Sequence, residues 1–398
     1  MKFSTLKDMD IENKKVLVRV DYNVPIKNGM VEDDTRLKAT IPTINYLLEK
    51  KCKIILMSHL GRPQKLLKKG KAFEEIKKEL TLKPVAEDLS DILGISVGFV
   101  SDCIDVEIPQ DNDVLLLENL RLHKEEESNN EEFAKKLSKN GQIFINDAFG
   151  NCHRNHASVS AITKFMPSCA GFLVEKEINH LSKLLNPERP FVSIVAGAKA
   201  DKIGALKVLA QKADKILIGG VLANTFLKAK GNDIGSSKFD EETFSFAEEI
   251  INTAGKKLIF PIDTVIADKF DNNADTKIAN TTKIEKEWIS LDIGPETIKL
   301  YKEELKEAKT VLWAGPLGVF EMEKFSKGTK DIGEFLTTLD AEVIAGGGDT
   351  AAAVQHLNLG NKISHVSTGG GASLEFIEKD GKLPALVALE KAYERDDK

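Results

Sequence analysis

The sequence predicts an α/β fold with two doubly wound, mainly parallel sheets, and two observations predict it. Short β-branched and aliphatic runs recur along the 398 residues, with longer segments of helical periodicity between them, the alternation a parallel sheet requires. The same alternation restarts after Pro190, so a second α/β domain follows the first.

In the first domain the strands are read as Val16–Val20, Ile54–Met57, Val97–Val100, Val114–Leu117 and Ile143–Ile145, with helices over Arg36–Lys51 and Glu131–Asn140. Between the domains, Ile178, Leu181, Leu184 and Leu185 recur at helical spacing before Asn186-Pro187-Glu188-Arg189-Pro190, which predicts a connecting helix with a proline stop. Strands of the second domain are read as Val192–Ala196, Ile216–Gly219, Leu258–Phe260, Val311–Trp313, Val343–Ala345 and Ile363–Val366. The domain limits expected are 1–172, a connecting helix over 173–189, 190–378, and a tail over 379–398.

Composition narrows the function. With 42% hydrophobic and 30% charged residues the chain reads as ordinary globular protein. A formal net charge of −6 without a long block of like charge argues against a nucleic-acid partner. Stretches free of charge are too short for the roughly 18 apolar residues of a membrane span, so no membrane partner is expected. The first twenty residues scatter eight charges and leave no apolar signal segment, which makes the cytoplasm the expected compartment. Cys52, Cys103, Cys152 and Cys169 are too widely spaced for a zinc knuckle or a redox pair. The absence of heptads favours a monomer.

The chemistry gathers at strand ends, where open α/β sheets bind ligands. The first strand runs into Asp21-Tyr22-Asn23, the second into Ser58-His59-Leu60-Gly61-Arg62-Pro63, the fourth into Glu118-Asn119-Leu120-Arg121, and the fifth into a segment carrying His153, Arg154 and His156. With Arg36, this offers four guanidiniums to one crevice. Such a cluster repels itself unless an anion fills it, and a guanidinium forks onto phosphate or carboxylate. A small phosphorylated acid is therefore the expected occupant.

In the second domain, glycines cluster at strand ends: Gly197–Gly204, Gly219-Gly220, Gly346-Gly347-Gly348-Asp349-Thr350 and Gly369-Gly370-Gly371. There they let backbone N–H groups approach phosphate oxygens at a helix start, and Asp349 is placed to face a nucleotide-bound Mg²⁺. Neither a GxxxxGK[ST] loop nor a GxGxxG fingerprint is present, so Walker-type and ordinary dinucleotide binding lose ground.

These motifs resemble the phosphoglycerate kinase family, from Val16 to about Leu389. The segments Arg19–Pro25, Ser58–Pro63, Trp313–Glu321 and Gly346–Thr350 look like its signatures, in its order. The resemblance implies two Rossmann-like domains with a ligand cleft between them and a C-terminal tail that returns to the first domain. It implies that Asp21, Asn23, Arg36, His59, Arg62, Arg121 and Arg154 bind 3-phosphoglycerate. Lys202, Glu321, Gly347, Gly348, Asp349 and Thr350 are implied to hold ATP or ADP, with Glu321 at the ribose and Asp349 near Mg²⁺. Arg36, Lys202, Gly348 and Gly370 are implied to face the phosphoryl group in flight. The chain departs from the family pattern in the spacing of Lys199 and Lys202, in Ala314 where Asn is common, and in Ala196 where Gly is usual.

The expected reaction is reversible, Mg²⁺-dependent phosphoryl transfer between ATP and the carboxylate of 3-phosphoglycerate, giving ADP and 1,3-bisphosphoglycerate, with the domains closing over both ligands. Two other readings stand beside it at this point. One is a relative that binds ligand without turnover, suggested by the lysine spacing and Ala314. The other is a dinucleotide-dependent oxidoreductase, which lacks its fingerprint.

Overall fold

The structure is a computed structural model that describes residues 2–197 and 203–396. The chain divides into two compact units, one formed by residues 1–179 with 382–398, the other by residues 180–381.

In the first unit six parallel strands lie in the order Val97–Val100, Val114–Leu117, Lys53–Met57, Lys15–Val20, Ile143–Asp147, Ser168–Ala170. Helices cover the sheet, so the central strands are buried along nearly their whole length and are predominantly apolar. Helix Thr35–Glu49 turns Leu37, Thr40, Ile44 and Leu47 toward the core, a spacing of three to four residues. The edge strand Ser168–Ala170 was not expected; three residues are too few to show a pattern. The last helix, Pro384–Asp396, packs in this unit, with Ala385 N–H donating to Cys152 O at 3.1 Å and Arg395 Nη1 to Thr163 O at 2.6 Å.

Strand Lys15–Val20 sits between Lys53–Met57 and Ile143–Asp147. Asp147, at the end of the latter, accepts from Leu173 N–H at 2.8 Å and so caps the helix Phe172–Leu181. That helix begins one residue before the expected limit of 173 and gives way to a 3-10 turn over Ser182–Leu184.

The second unit holds the parallel order Leu258–Ile259, Lys215–Ile218, Phe191–Val195, Thr310–Ala314, Glu342–Ala345, His365–Val366. Numbered within the sheet this is 3-2-1-4-5-6, so the topological switch point lies between Phe191–Val195 and Thr310–Ala314. An antiparallel insertion was not expected: Asp263–Ala267 pairs with Thr276–Asn280 on one side and Ile289–Ile293 on the other. It matters because its strand Ile289–Ile293 walls a cavity of this unit.

Candidate active site

In the first unit the site grows from one buried charge. Arg19 lies in the apolar strand Lys15–Val20 and is 1% exposed. Its Nε donates to Ser158 Oγ at 2.8 Å, and its Nη2 lies 3.2 Å from His59 Nδ1. Ser158 in turn donates from Oγ and backbone N–H to the buried Glu126 carboxylate, at 2.6 and 2.9 Å. A buried cation is thereby hydrogen-bonded and given a countercharge one residue away, which burial demands.

The strand-end loops are tied through Gly61. Its N–H donates to Asn23 Oδ1 at 2.8 Å, and its carbonyl accepts from Arg121 Nη1 at 2.8 Å. Asn119 holds the same loop by accepting from Leu60 N–H at 3.0 Å and donating to Leu60 O at 2.8 Å. Asp21 accepts from Arg36 Nη1 at 2.8 Å and lies 3.8 Å from His59 Nδ1.

The electrostatics is that of a cationic basin. Burial holds His59 well below its usual pKa, and Arg19, Arg121, Arg154 and Arg36 press it further in the same direction. His156 falls to about 3, through burial and then Arg121, Arg154 and Arg19. Arg121 itself is lowered to about 10, by burial and then by Arg154. Both imidazoles are therefore neutral at pH 7. Arg121 Nε and Nη2 and Arg154 Nε are buried and have no hydrogen-bond partner among the described residues. Unsatisfied guanidinium donors inside a like-charged cluster are costly, and an anion relieves both costs.

Of the expected residues the structure gathers Asp21, Arg36, His59, Arg121 and Arg154 here, with Asn23 at the rim. Arg62 is exposed and occupies the N-cap position of the short helix Pro63–Lys68 without a side-chain capping bond. Arg19, Ser158 and Glu126 were missed. The available signal was an arginine inside an otherwise apolar strand.

In the second unit a cavity of about 470 Å³ opens beside the switch point. Gly197 and Pro316 come from the loops after its two strands, Gly220 and Asn224 from helix Gly220–Ala229, and Ile289 and Leu291 from the antiparallel insertion. Glu321 and Asp349 line the same cavity. Its mixture of apolar wall and few polar groups suits a nucleoside-sized ligand.

Gly347 caps helix Gly348–His356 at φ 97°, and Gly370 caps helix Gly371–Glu378 at φ 54° with ψ −120°. Side chains rarely adopt those angles, which explains glycine at both. Thr350 is turned inward: it is 1% exposed, accepts from Gly315 N–H at 2.7 Å and donates to Gly346 O at 2.7 Å. Its hydroxyl thus joins two strand ends rather than facing the cavity, whose lining does not include it. Gly370 does not line the cavity either. Lys202 and Lys199 lie outside the described residues. Ala314 and Ala196 are fully buried.

Comparison with known proteins agrees with this geometry. A family model described as phosphoglycerate kinase matches residues 6–380. The phosphoglycerate kinases of Moorella thermoacetica and Dictyoglomus turgidum are each 47% identical, with 97% of this chain and 98% of theirs covered. Among solved structures, phosphoglycerate kinase from Coxiella burnetii superposes with a TM-score of 0.85 at 37% identity, covering 99% of this chain and 100% of that one. The enzyme from Pyrococcus horikoshii gives 0.84 at 32% identity, covering 98% and 99%. The chain belongs to the phosphoglycerate kinase family.

Proposed function

We propose that the chain carries out its family's reaction, phosphoryl transfer between ATP and the carboxylate of 3-phosphoglycerate in glycolysis, with the acid held by the arginine basin and the nucleotide by the cavity of the second unit. The observation that carries this reading is the set of buried N–H groups on Arg121 and Arg154 that have no hydrogen-bond partner among the described residues, Arg121 Nε lying 3.5 Å from Glu127 Oε1. They match a phosphate, and the adjoining Arg36 matches the carboxylate and the group transferred to it.

The residues then divide the work. Arg121, Arg154 and neutral His59 bind and orient the acid, while Asn23 and Asp21 set the loop and the Arg36 fork. No general base is required, because a carboxylate with a pKa near about 4 is ionised at pH 7. Catalysis reduces to alignment and to offsetting the repulsion between two anions. Arg36 supplies positive charge from the first unit, and Gly348 and Gly370 supply helix N-termini from the second. Lys202 belongs to the same proposal. Glu321 suits the ribose hydroxyls, and Thr350 acts by positioning the Gly346–Gly348 turn.

Asp349 fits a nucleotide-associated Mg²⁺, since its half-buried carboxylate lines the cavity on the first turn of a helix, and Mg²⁺ commonly takes one or two carboxylates plus substrate phosphates. When bound, the ion neutralises phosphate charge. The two ligands start on different units, and transfer needs reacting atoms about 3 to 3.5 Å apart. Domain closure over both ligands, action as a monomer and a cytoplasmic setting complete the proposal.

A coupled assay with ATP, Mg²⁺ and 3-phosphoglycerate tests it. ADP formation dependent on all three is the expected result. ATP binding without acid-dependent turnover would overturn the reading.

A further inference from the structure

Outside the basin, Asp102, Cys103 and His123 converge from two loops. Asp102 and Cys103 follow strand Val97–Val100, while His123 follows the 3-10 turn Leu120–Leu122. One ligand atom from each lies within 4.8 Å of the other two. His123 Nε2 is 2.7 Å from Asp102 Oδ1. Cys103 is 1% exposed, whereas the side chains of Asp102 and His123 retain a solvent-facing edge.

We propose that Asp102, Cys103 and His123 form a binding site for one borderline-soft divalent cation of the Zn²⁺ type, held by thiolate sulfur, imidazole nitrogen and carboxylate oxygen. Water from the open edge takes the fourth position.

The donor set selects the metal. Thiolate and imidazole suit Zn²⁺, while Mg²⁺ prefers six oxygen ligands, so the Mg²⁺ used with nucleotide does not compete. Bond lengths of about 2.0–2.3 Å in a tetrahedron place ligand atoms roughly 3.3–3.7 Å apart. The Asp102–His123 pair, now 2.7 Å apart, therefore opens by about 1 Å or less, and the sulfur already lies within 4.8 Å of both other donors, movements within reach of side-chain rotation. On binding, the thiol proton passes to solvent and sulfur ligates as thiolate.

The surroundings preorganise the three groups. Asn140 Nδ2 donates to Cys103 O at 2.9 Å, and the His123 ring rests against Phe133 with centroids 5.3 Å apart. Among the described residues no comparable three-donor set surrounds Cys52, Cys152 or Cys169.

The test uses the reduced full-length chain, freed of metal and titrated with Co²⁺ in excess Mg²⁺. One equivalent should bind and give the near-ultraviolet absorption of thiolate-to-cobalt charge transfer. Cys103→Ser should abolish that band. His123→Gln, which keeps a donor for Asp102 at a half-exposed position and so leaves the fold intact, should weaken Co²⁺ and Zn²⁺ binding about tenfold or more, since even outer partners of a metal ligand are worth that much. A wild-type spectrum without the sulfur band, or equal affinity in wild type and His123→Gln, would overturn the proposal.

Discussion

Arg19 Nη2 lies 3.2 Å from His59 Nδ1, and this pairing decides which imidazole nitrogen carries the proton. A guanidinium offers donors only, so Nδ1 must accept. Burial and the neighbouring arginines keep His59 neutral, which leaves the hydrogen on Nε2. His59 is thereby set as a neutral donor, the form that hydrogen-bonds an oxygen of an anionic ligand without adding charge to a crowded basin.

Replacing Arg36 with Ala should lower kcat about 10³-fold or more, by analogy with arginine fingers, while raising KM much less. The reason is its place: held by Asp21 at 2.8 Å, it presents a charge whose value peaks when the phosphoryl group is between donor and acceptor. Steady-state kinetics of Arg36→Ala and Arg36→Lys checks this. Equal changes confined to KM would remove Arg36 from the transfer step.

Glu126→Gln should destabilise the fold by about 2 kcal/mol, the scale of a lost hydrogen bond to a charged group. Both carboxylate oxygens accept from Ser158, and an amide can accept at only one of them. Arg19 also loses its strongest countercharge. Urea denaturation gives the stability, and a parallel rise in KM for 3-phosphoglycerate would report the displaced His59. An unchanged midpoint would show that Glu126 does not anchor the network.

Asp292 predicts a pH dependence of stability. Burial raises its pKa from 3.8 to about 7, although Gly328 N–H and Ile293 N–H pull the other way. A carboxyl whose folded pKa is raised contributes stability that is fully present below its unfolded value and lost as pH rises through the folded one. The stability advantage of wild type over Asp292→Asn, read from denaturant midpoints without nucleotide, should therefore shrink as pH climbs from about 4 to about 7. A difference constant over that range would mean that Asp292 titrates normally.

Asp349→Asn keeps shape and removes charge, so its defect should appear in the Mg²⁺ dependence of the rate: more Mg²⁺ to reach half-maximal velocity, and a lower maximum. If the Mg²⁺ curve keeps its midpoint, Asp349 serves the helix start rather than the metal.

The sheets were legible because parallel strands buried on both faces are written as unbroken apolar runs, as in Val114–Leu117. Strand Thr276–Asn280 escaped because four of its five residues are exposed, which leaves no apolar alternation to read. Glu126 escaped for a different reason. It stands in the run Lys124-Glu125-Glu126-Glu127, where nothing local separates the fully buried glutamate from its neighbours. Arg121 and Arg154 could be placed from strand-end position alone, whereas Thr350 shows what position cannot tell: it spends its hydroxyl between two glycines.

The packing of helix Pro384–Asp396 against Cys152 and Thr163 has a consequence for how the molecule is made. Translation delivers residues 1–179 before residues 180–381, and the helix that finishes their unit leaves the ribosome only after all of residues 180–381. The second unit is contiguous and can fold while synthesis continues. The earlier unit is thus completed only after the later one has emerged, and a chain stalled anywhere before Pro384 carries an arginine basin whose scaffold lacks this helix.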